Sequence, residues 1–120
     1  RNVIFTGYVG DSEFEAFLSK ADAFVVSLKQ SLYGISVPSK TYHYLKYDKP
    51  ILGLLPENSE IALLIEETAS GMVCSDYTVN ALANTIRSIT EFKGHVYRSN
   101  ISDKYSKKRA IASLKRIFRC

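Results

Sequence analysis

The sequence predicts an α/β fold, a parallel sheet with helices on both faces, followed by a basic C-terminal helix. Four short apolar runs, residues 3–6, 23–28, 50–55 and 72–75, alternate with segments whose apolar residues recur at three- and four-residue spacing. The runs are continuous and partly β-branched rather than alternating, which is the pattern of strands covered on both faces. Strands that alternate with helices form a parallel sheet with right-handed crossovers.

Each element has a local reason. Residues 3–6 form an apolar run closed by Gly7, read as a buried strand. Gly10, Asp11 and Ser12 punctuate the chain. Ser12 and Glu15 then have the spacing of a capping box for a helix with Phe14, Phe17, Leu18 and Ala21 on one face. Residues 23–28 are the second strand and residues 29–37 a loop. Pro38 suits a first helical turn because its missing N–H would be unpaired there anyway, so a helix is expected over residues 39–46. The free N–H groups of that turn, beside Ser39 and Lys40, would form a seat for an anion such as phosphate. Asp48 and Lys49 turn the chain into the third strand, residues 50–55.

Asn58 is the expected N-cap of a helix bearing Ile61, Leu64 and Ile65, with Glu60 in its first turn, where the helix dipole favours negative charge. Gly71 suits the exit from that helix into a strand over residues 72–75. Asp76 or Thr78 opens a helix repeating Val79, Leu82, Ile86 and Ile89, and Gly94 breaks it. Residues 93–102 read as a polar linker. A last helix, starting at Ser102 or Ser106, carries Ala110, Leu114, Ile117 and Phe118 on one face.

Composition bounds the function. At 120 residues, 46% apolar and 23% charged, the chain has the size and make-up of one ordinary globular domain. No apolar run reaches the roughly 20 residues that span a bilayer, and no secretory leader pattern opens the chain, so a cytoplasmic setting is expected. An opening at Arg1 that leads directly into a strand reads as a piece of a longer protein. Cys74 and Cys120 have neither metal-ligand spacing nor the density of a disulfide scaffold, and read as reduced thiols. Of the 16 basic residues seven lie between Lys104 and Cys120, where none of the 12 acidic ones do. The tail is therefore basic and the body mildly acidic, and a nucleic-acid role is not expected, because few aromatics interleave the basic residues. No dinucleotide or Walker phosphate loop, hydrolytic triad or metal cluster is present in the pattern.

Several motifs occur in an ordered series. Val37-Pro38-Ser39-Lys40-Thr41-Tyr42-His43-Tyr44-Leu45, followed by Asp48-Lys49-Pro50-Ile51-Leu52, resembles the "PSK-hydrophobic-x-E-Y-hydrophobic-x-x-G-K-P-hydrophobic" segment of group 1 (family 4) glycosyltransferases. Upstream, Val3-Ile4-Phe5-Thr6-Gly7-Tyr8-Val9 is similar to that family's "V-x-F-x-G-x-V" strand and turn. Ala21 and Asp22 with the apolar residues after them resemble its "A-D-hydrophobic" strand. Downstream, Ser59-Glu60, Ile65-Glu66, Gly71-Met72-Val73 and Ala81-Leu82-Ala83 resemble its tail. Nearly the whole chain is covered.

The resemblance implies the C-terminal half of a GT-B fold, N-terminally truncated. Residues 1–92 would be a partial Rossmann-like donor-binding domain, 93–102 a linker and 103–120 a basic amphipathic helix. It implies a retaining transferase that moves a sugar from a nucleotide-sugar to an acceptor in polysaccharide or glycolipid synthesis, as in bacteria. The donor would be held here and the acceptor by a missing N-terminal domain. No cofactor and no metal are expected, since positive groups and helix dipoles would stabilise the leaving diphosphate. The family's arginine and lysine for that diphosphate lie upstream of the matched region, so this chain alone is expected to be inactive, and no catalytic residue is assigned in it.

Independently of the resemblance, ligands of such a sheet sit beyond the carboxyl ends of the strands, here residues 7–11, 29–39, 55–59 and 75–78. With the resemblance added, the donor-binding candidates are Gly7, Tyr8 and Val9, which it implies would line the base; Pro38, Ser39 and Lys40, which would meet the diphosphate; and His43. Gly34, Ile35, Ser59 and Glu60 form a second rank. Each also has a plain structural reading: a strand exit for Gly7, a solvated helix start for Lys40, charge complementarity for Glu60. His43 stands where the family has the second glutamate of its E-x7-E pair, which would bind the ribose hydroxyls, and Ile35 stands eight residues earlier. An imidazole cannot accept two hydrogen bonds as a carboxylate does. A non-catalytic partner or pseudoenzyme is accordingly the alternative. A further reading has the basic tail lean on anionic lipid at the inner face of a membrane, near a lipid-linked acceptor.

Overall fold

The computed structural model describes residues 2–92 and 107–118. Three parallel strands, β1 (Phe24–Ser27), β2 (Ile51–Leu54) and β3 (Gly71–Cys74), form one sheet in the order β1-β2-β3. Phe24 lies opposite Ile51, and Ile51 opposite Gly71. The ladder runs past the strands at both ends, from Phe24 N–H to the Pro50 carbonyl at 2.9 Å and from Leu55 N–H to the Cys74 carbonyl at 3.3 Å. The helices, in chain order, are α1 (Asp11–Lys20), α2 (Lys40–Tyr44), α3 (Glu60–Glu67), α4 (Val79–Thr90) and α5 (Lys107–Ile117). α3 and α4 pack against β2 and β3, and α2 against β1. The mixed α/β fold with a helix-flanked parallel sheet is as expected from the sequence.

The core follows from the strand period. Phe24 and Val26 of β1, Ile51 of β2, Leu55 just beyond it, and Ile61, Ala62, Leu64 and Ile65 of α3 form one buried cluster with Leu18, Leu28 and Leu45. Leu52, one residue on from Ile51 and so on the opposite face of the sheet, is buried as well. The Tyr44 ring stacks on Phe24 at 4.5 Å between centroids, with Tyr47 edge-on to the same ring at 5.8 Å. Tyr44 of α2 and Tyr47 just beyond it thus hold α2 to β1.

Several local expectations are corrected. Residues 3–6 form no strand: Val3 is 63% and Phe5 93% exposed, and no strand of the sheet pairs with them. An apolar run becomes a strand only where a neighbouring strand supplies the ladder, and among the described residues none does so here. β1 is covered on one face only, with Val25 59% exposed, so continuous apolar character there does not mean burial on both sides. The capping box on α1 does not form. Gly10 is the N-cap, without a side-chain cap bond, and Glu15 is turned elsewhere. Ser59, not Asn58, caps α3, accepting from Ala62 N–H at 3.3 Å. Thr78 caps α4, and its own N–H donates to Asp76 Oδ1 at 2.9 Å. Gly71 begins β3 rather than closing α3, where Ala69 takes the left-handed conformation at φ 48°.

α5 is described over Lys107–Ile117, and its Ile111, Leu114 and Ile117, with Phe118 just after it, are exposed. The linker over residues 93–102, the break at Gly94, His95 and the proposed starts at Ser102 and Ser106 lie outside the described residues. Among those described, no helix is long and apolar enough to cross a membrane.

One buried group lacks a partner. Thr41 of α2 is fully buried, and its hydroxyl makes no hydrogen bond among the described residues. A desolvated, unpaired hydroxyl opposes folding, so Thr41→Val should be neutral or should stabilise by about 1 kcal/mol. The urea midpoint checks this; a clear loss would mean that the hydroxyl has a partner in solution.

Candidate functional site

Two concave regions lie around α2. The first, a cavity of about 340 Å³, opens at the carboxyl ends of β1 and β2 and is lined by residues 33–38 on one side and Asn58, Ser59, Glu60 and Ile61 on the other. Its walls are tied together. The Tyr33 hydroxyl donates to the Asn58 carbonyl at 3.1 Å, and the Tyr42 hydroxyl to Glu60 Oε1 at 3.2 Å. Beside them, the Ser75 hydroxyl donates to Glu57 Oε1 at 2.8 Å, joining the loops after β2 and β3. Gly34, at φ +77°, lets the loop after β1 turn along this wall in the left-handed region that favours glycine.

The second region lies between the N-terminal turn, α1 and α2. A hollow of about 500 Å³ is lined by Thr6, Gly7, Tyr8 and Val9 together with Asp11, Phe14, Phe17 and Lys40. A smaller one of about 240 Å³ adjoins it, sharing Asp11, Phe14 and Lys40 and adding Glu15 and His43. Gly7 sits at φ +71°, again left-handed, with open space where a Cβ would be, so it is the backbone conformation that favours glycine there.

The predicted residues therefore divide. Gly7, Tyr8, Val9, Lys40 and His43 line the paired hollows. Pro38, Gly34, Ile35, Ser59 and Glu60 line the cavity at the strand ends. Ser39 lies between them, exposed. Ser59 is occupied as a buried cap and Glu60 by Tyr42. The expected anion seat is smaller than the sequence suggested. α2 is five residues long, its Thr41 N–H donates to the Pro38 carbonyl and its Tyr42 N–H to the Ser39 carbonyl, both at 3.2 Å. Those first-turn donors are already used, so an anion here would be met chiefly by the Lys40 ammonium.

Sequence reasoning missed Glu15 and Tyr47. Glu15 Oε1 lies 2.8 Å from His43 Nε2, and its other oxygen accepts from the Tyr47 hydroxyl. Phe14 stacks on the His43 ring at 6.1 Å and 15°. The three groups lie 28 and 32 residues apart in sequence, and the capping-box spacing offered Glu15 a local use; no spacing rule could have paired them.

The cluster perturbs its members. The hydrogen bond from the Tyr47 hydroxyl, chiefly, holds the Glu15 carboxyl below its usual range; desolvation opposes it, and His43 and Lys46 add to the lowering. Glu15 in turn pushes the Tyr47 phenol up. Because the folded state binds the Glu15 proton less tightly than the unfolded chain, its contribution is present above the ordinary value of 4.5 and is lost as pH falls through the lower folded value. Wild type should therefore lose stability below pH 4.5 by a small component that Glu15→Ala lacks. Thermal midpoints of both proteins across that range check it.

The class to which this arrangement points is supported by a comparison: the chain is similar to part of a glycosyltransferase. The relative is the probable glycosyltransferase WbjE of Pseudomonas aeruginosa, 37% identical over 93 residues, which are 74% of this chain and 23% of that protein. This chain thus spans about a quarter of its relative's length. No family model matches the chain. No solved structure matches it either.

Proposed function

We propose that this chain holds the nucleotide-sugar donor in a GT-B, family 4 type of retaining glycosyltransferase acting in bacterial polysaccharide or glycolipid synthesis. The observation that carries the reading is the convergence of two separate sequence segments. The Gly7–Val9 turn, Lys40 and His43 line adjoining hollows in a chain 37% identical to a probable glycosyltransferase. In this reading the turn meets the base through main-chain groups, His43 a ribose hydroxyl and Lys40 the diphosphate. A cation beside the leaving diphosphate stabilises charge that develops as the glycosidic bond breaks. The acceptor belongs to a part of the protein outside this chain, and no metal is required.

A second reading, a glycosyltransferase-like partner without catalysis, is favoured by His43 and Ile35 at the positions where the family carries carboxylates. Both readings meet one experiment: thermal shift of the chain with millimolar UDP, GDP, ADP, CMP and dTDP. A ligand that binds only the folded state raises its stability by RT ln(1 + [L]/Kd), so a weak site registers at high concentration. A shift with one nucleotide supports the donor site. Silence from all five moves the weight to the partner reading.

A further inference from the structure

We infer that Glu15 is a positioning residue for His43: its carboxylate holds the imidazole in the tautomer that leaves Nδ1 to accept a hydrogen bond from a ligand hydroxyl. The ligand part of this inference rests on the donor-site reading above; the positioning part does not.

An ionised carboxylate can only accept hydrogen bonds. With Glu15 Oε1 2.8 Å from Nε2, the proton of a neutral His43 ring must sit on Nε2. Nδ1 then keeps its lone pair, and it has no hydrogen-bond partner among the described residues. The carboxylate itself is fixed, because its second oxygen accepts from the Tyr47 hydroxyl. The ring is confined too, with Phe14 stacked near it and the Tyr47 ring tilted against it at 6.0 Å. His43 lines the smaller hollow together with Lys40 and Asp11.

The chemical consequence is specific. Where the resemblance expects a carboxylate at position 43, this chain presents, in the neutral form of the ring, a single acceptor nitrogen and keeps the carboxylate one step back, on α1. Such a site accepts one hydrogen bond where a carboxylate would accept two, and it suits an uncharged donor such as a ribose hydroxyl.

The test has two independent parts, both on the full 120-residue chain. Long-range proton–nitrogen correlations of ¹⁵N-labelled histidine, assigned by comparison with His43→Ala, report the tautomer of the neutral ring without any ligand. The expected result is Nε2–H alone in wild type and in Glu15→Gln, whose amide oxygen still accepts, and a mixture in Glu15→Ala. The second part compares UDP with 2′,3′-dideoxy-UDP. Loss of the ribose hydroxyls should weaken binding about fivefold in wild type and in Glu15→Gln, the worth of one hydrogen bond, and much less in Glu15→Ala and His43→Ala. A merely structural Glu15 would change both ligands equally. An Nδ1–H tautomer in wild type would overturn the positioning role, whatever UDP does. The expected tautomer with none of UDP, GDP, ADP, CMP and dTDP binding, or with the same hydroxyl penalty in every variant, would overturn the ligand role and count against the donor-site reading at His43.

Discussion

Replacing Gly71 with alanine is expected to unfold the chain or to cost it about 4 kcal/mol or more, at the upper end of what single substitutions do. A Cβ at this position would lie 1.8 Å from the Ile51 carbonyl oxygen and 2.7 Å from the Ile51 nitrogen. These are backbone atoms of β2, the central strand, whose ladders to β1 and β3 hold the sheet together. No side-chain rotation relieves such a contact. The strands would have to separate, and a domain of this size has only about 5–15 kcal/mol to lose. The urea midpoint and the dispersion of the amide spectrum measure the effect. A wild-type midpoint would mean that Gly71 does not face Ile51 in solution.

Ile65→Ala should cost about 2–5 kcal/mol, the usual range for emptying a fully buried aliphatic site. Ile65 is 0% exposed and at the centre of the cluster that joins α3 to the sheet. Its Cδ1 reaches to within 2.9 Å of where a Cβ on Gly53 would be, so the side chain fills the space that this glycine leaves in β2. Removing it opens a cavity walled by strand backbone, which relaxes little. Ile65→Val, which keeps most of the volume, should cost only about 0.5–1.5 kcal/mol. Urea unfolding of both variants, with an unchanged slope, checks the pair. Equal losses would indicate that the Cδ1 methyl, which both variants lack, rather than the total volume matters there.

The two residues also show what was legible in the sequence and why. Run 50–55 and the helix after it were readable because their apolar periodicity matches their burial. Ile51, Leu55, Ile61 and Ile65 are all fully buried or nearly so. The special status of Gly71 was visible as a glycine at a boundary, but its reason, close approach of β2, depends on strand register, which no local pattern carries. Residues 3–6 have the same apolar character as β2 and yet stay exposed, because burial of a strand is decided by its neighbours. Ser59 and Asn58 are both good caps, and which one turns its side chain to the helix is settled by the path of the chain.

The candidate site shows the same division. The glycine turn at Gly7, the proline-led start at Pro38 and the departure at His43 were each recognisable from residue type and order. That Lys40 and His43 share a hollow with Asp11 and Phe14 follows only from α1 packing beside α2. Glu15 had a plausible local role that the fold does not use, and its actual partners are brought to it by tertiary structure. Long-range pairs of polar residues leave no periodic trace.

The central claim, that the paired hollows hold a nucleotide, is tested most directly by mapping amide chemical shifts of the chain during titration with millimolar UDP, GDP, ADP, CMP and dTDP. One nucleotide should move the amides of Gly7, Tyr8, Val9, Lys40 and His43 together, and Lys40→Ala or His43→Ala should suppress the response. Perturbations confined to Gly34, Ile35 and Ser36, or no response to any of the five, would contradict it.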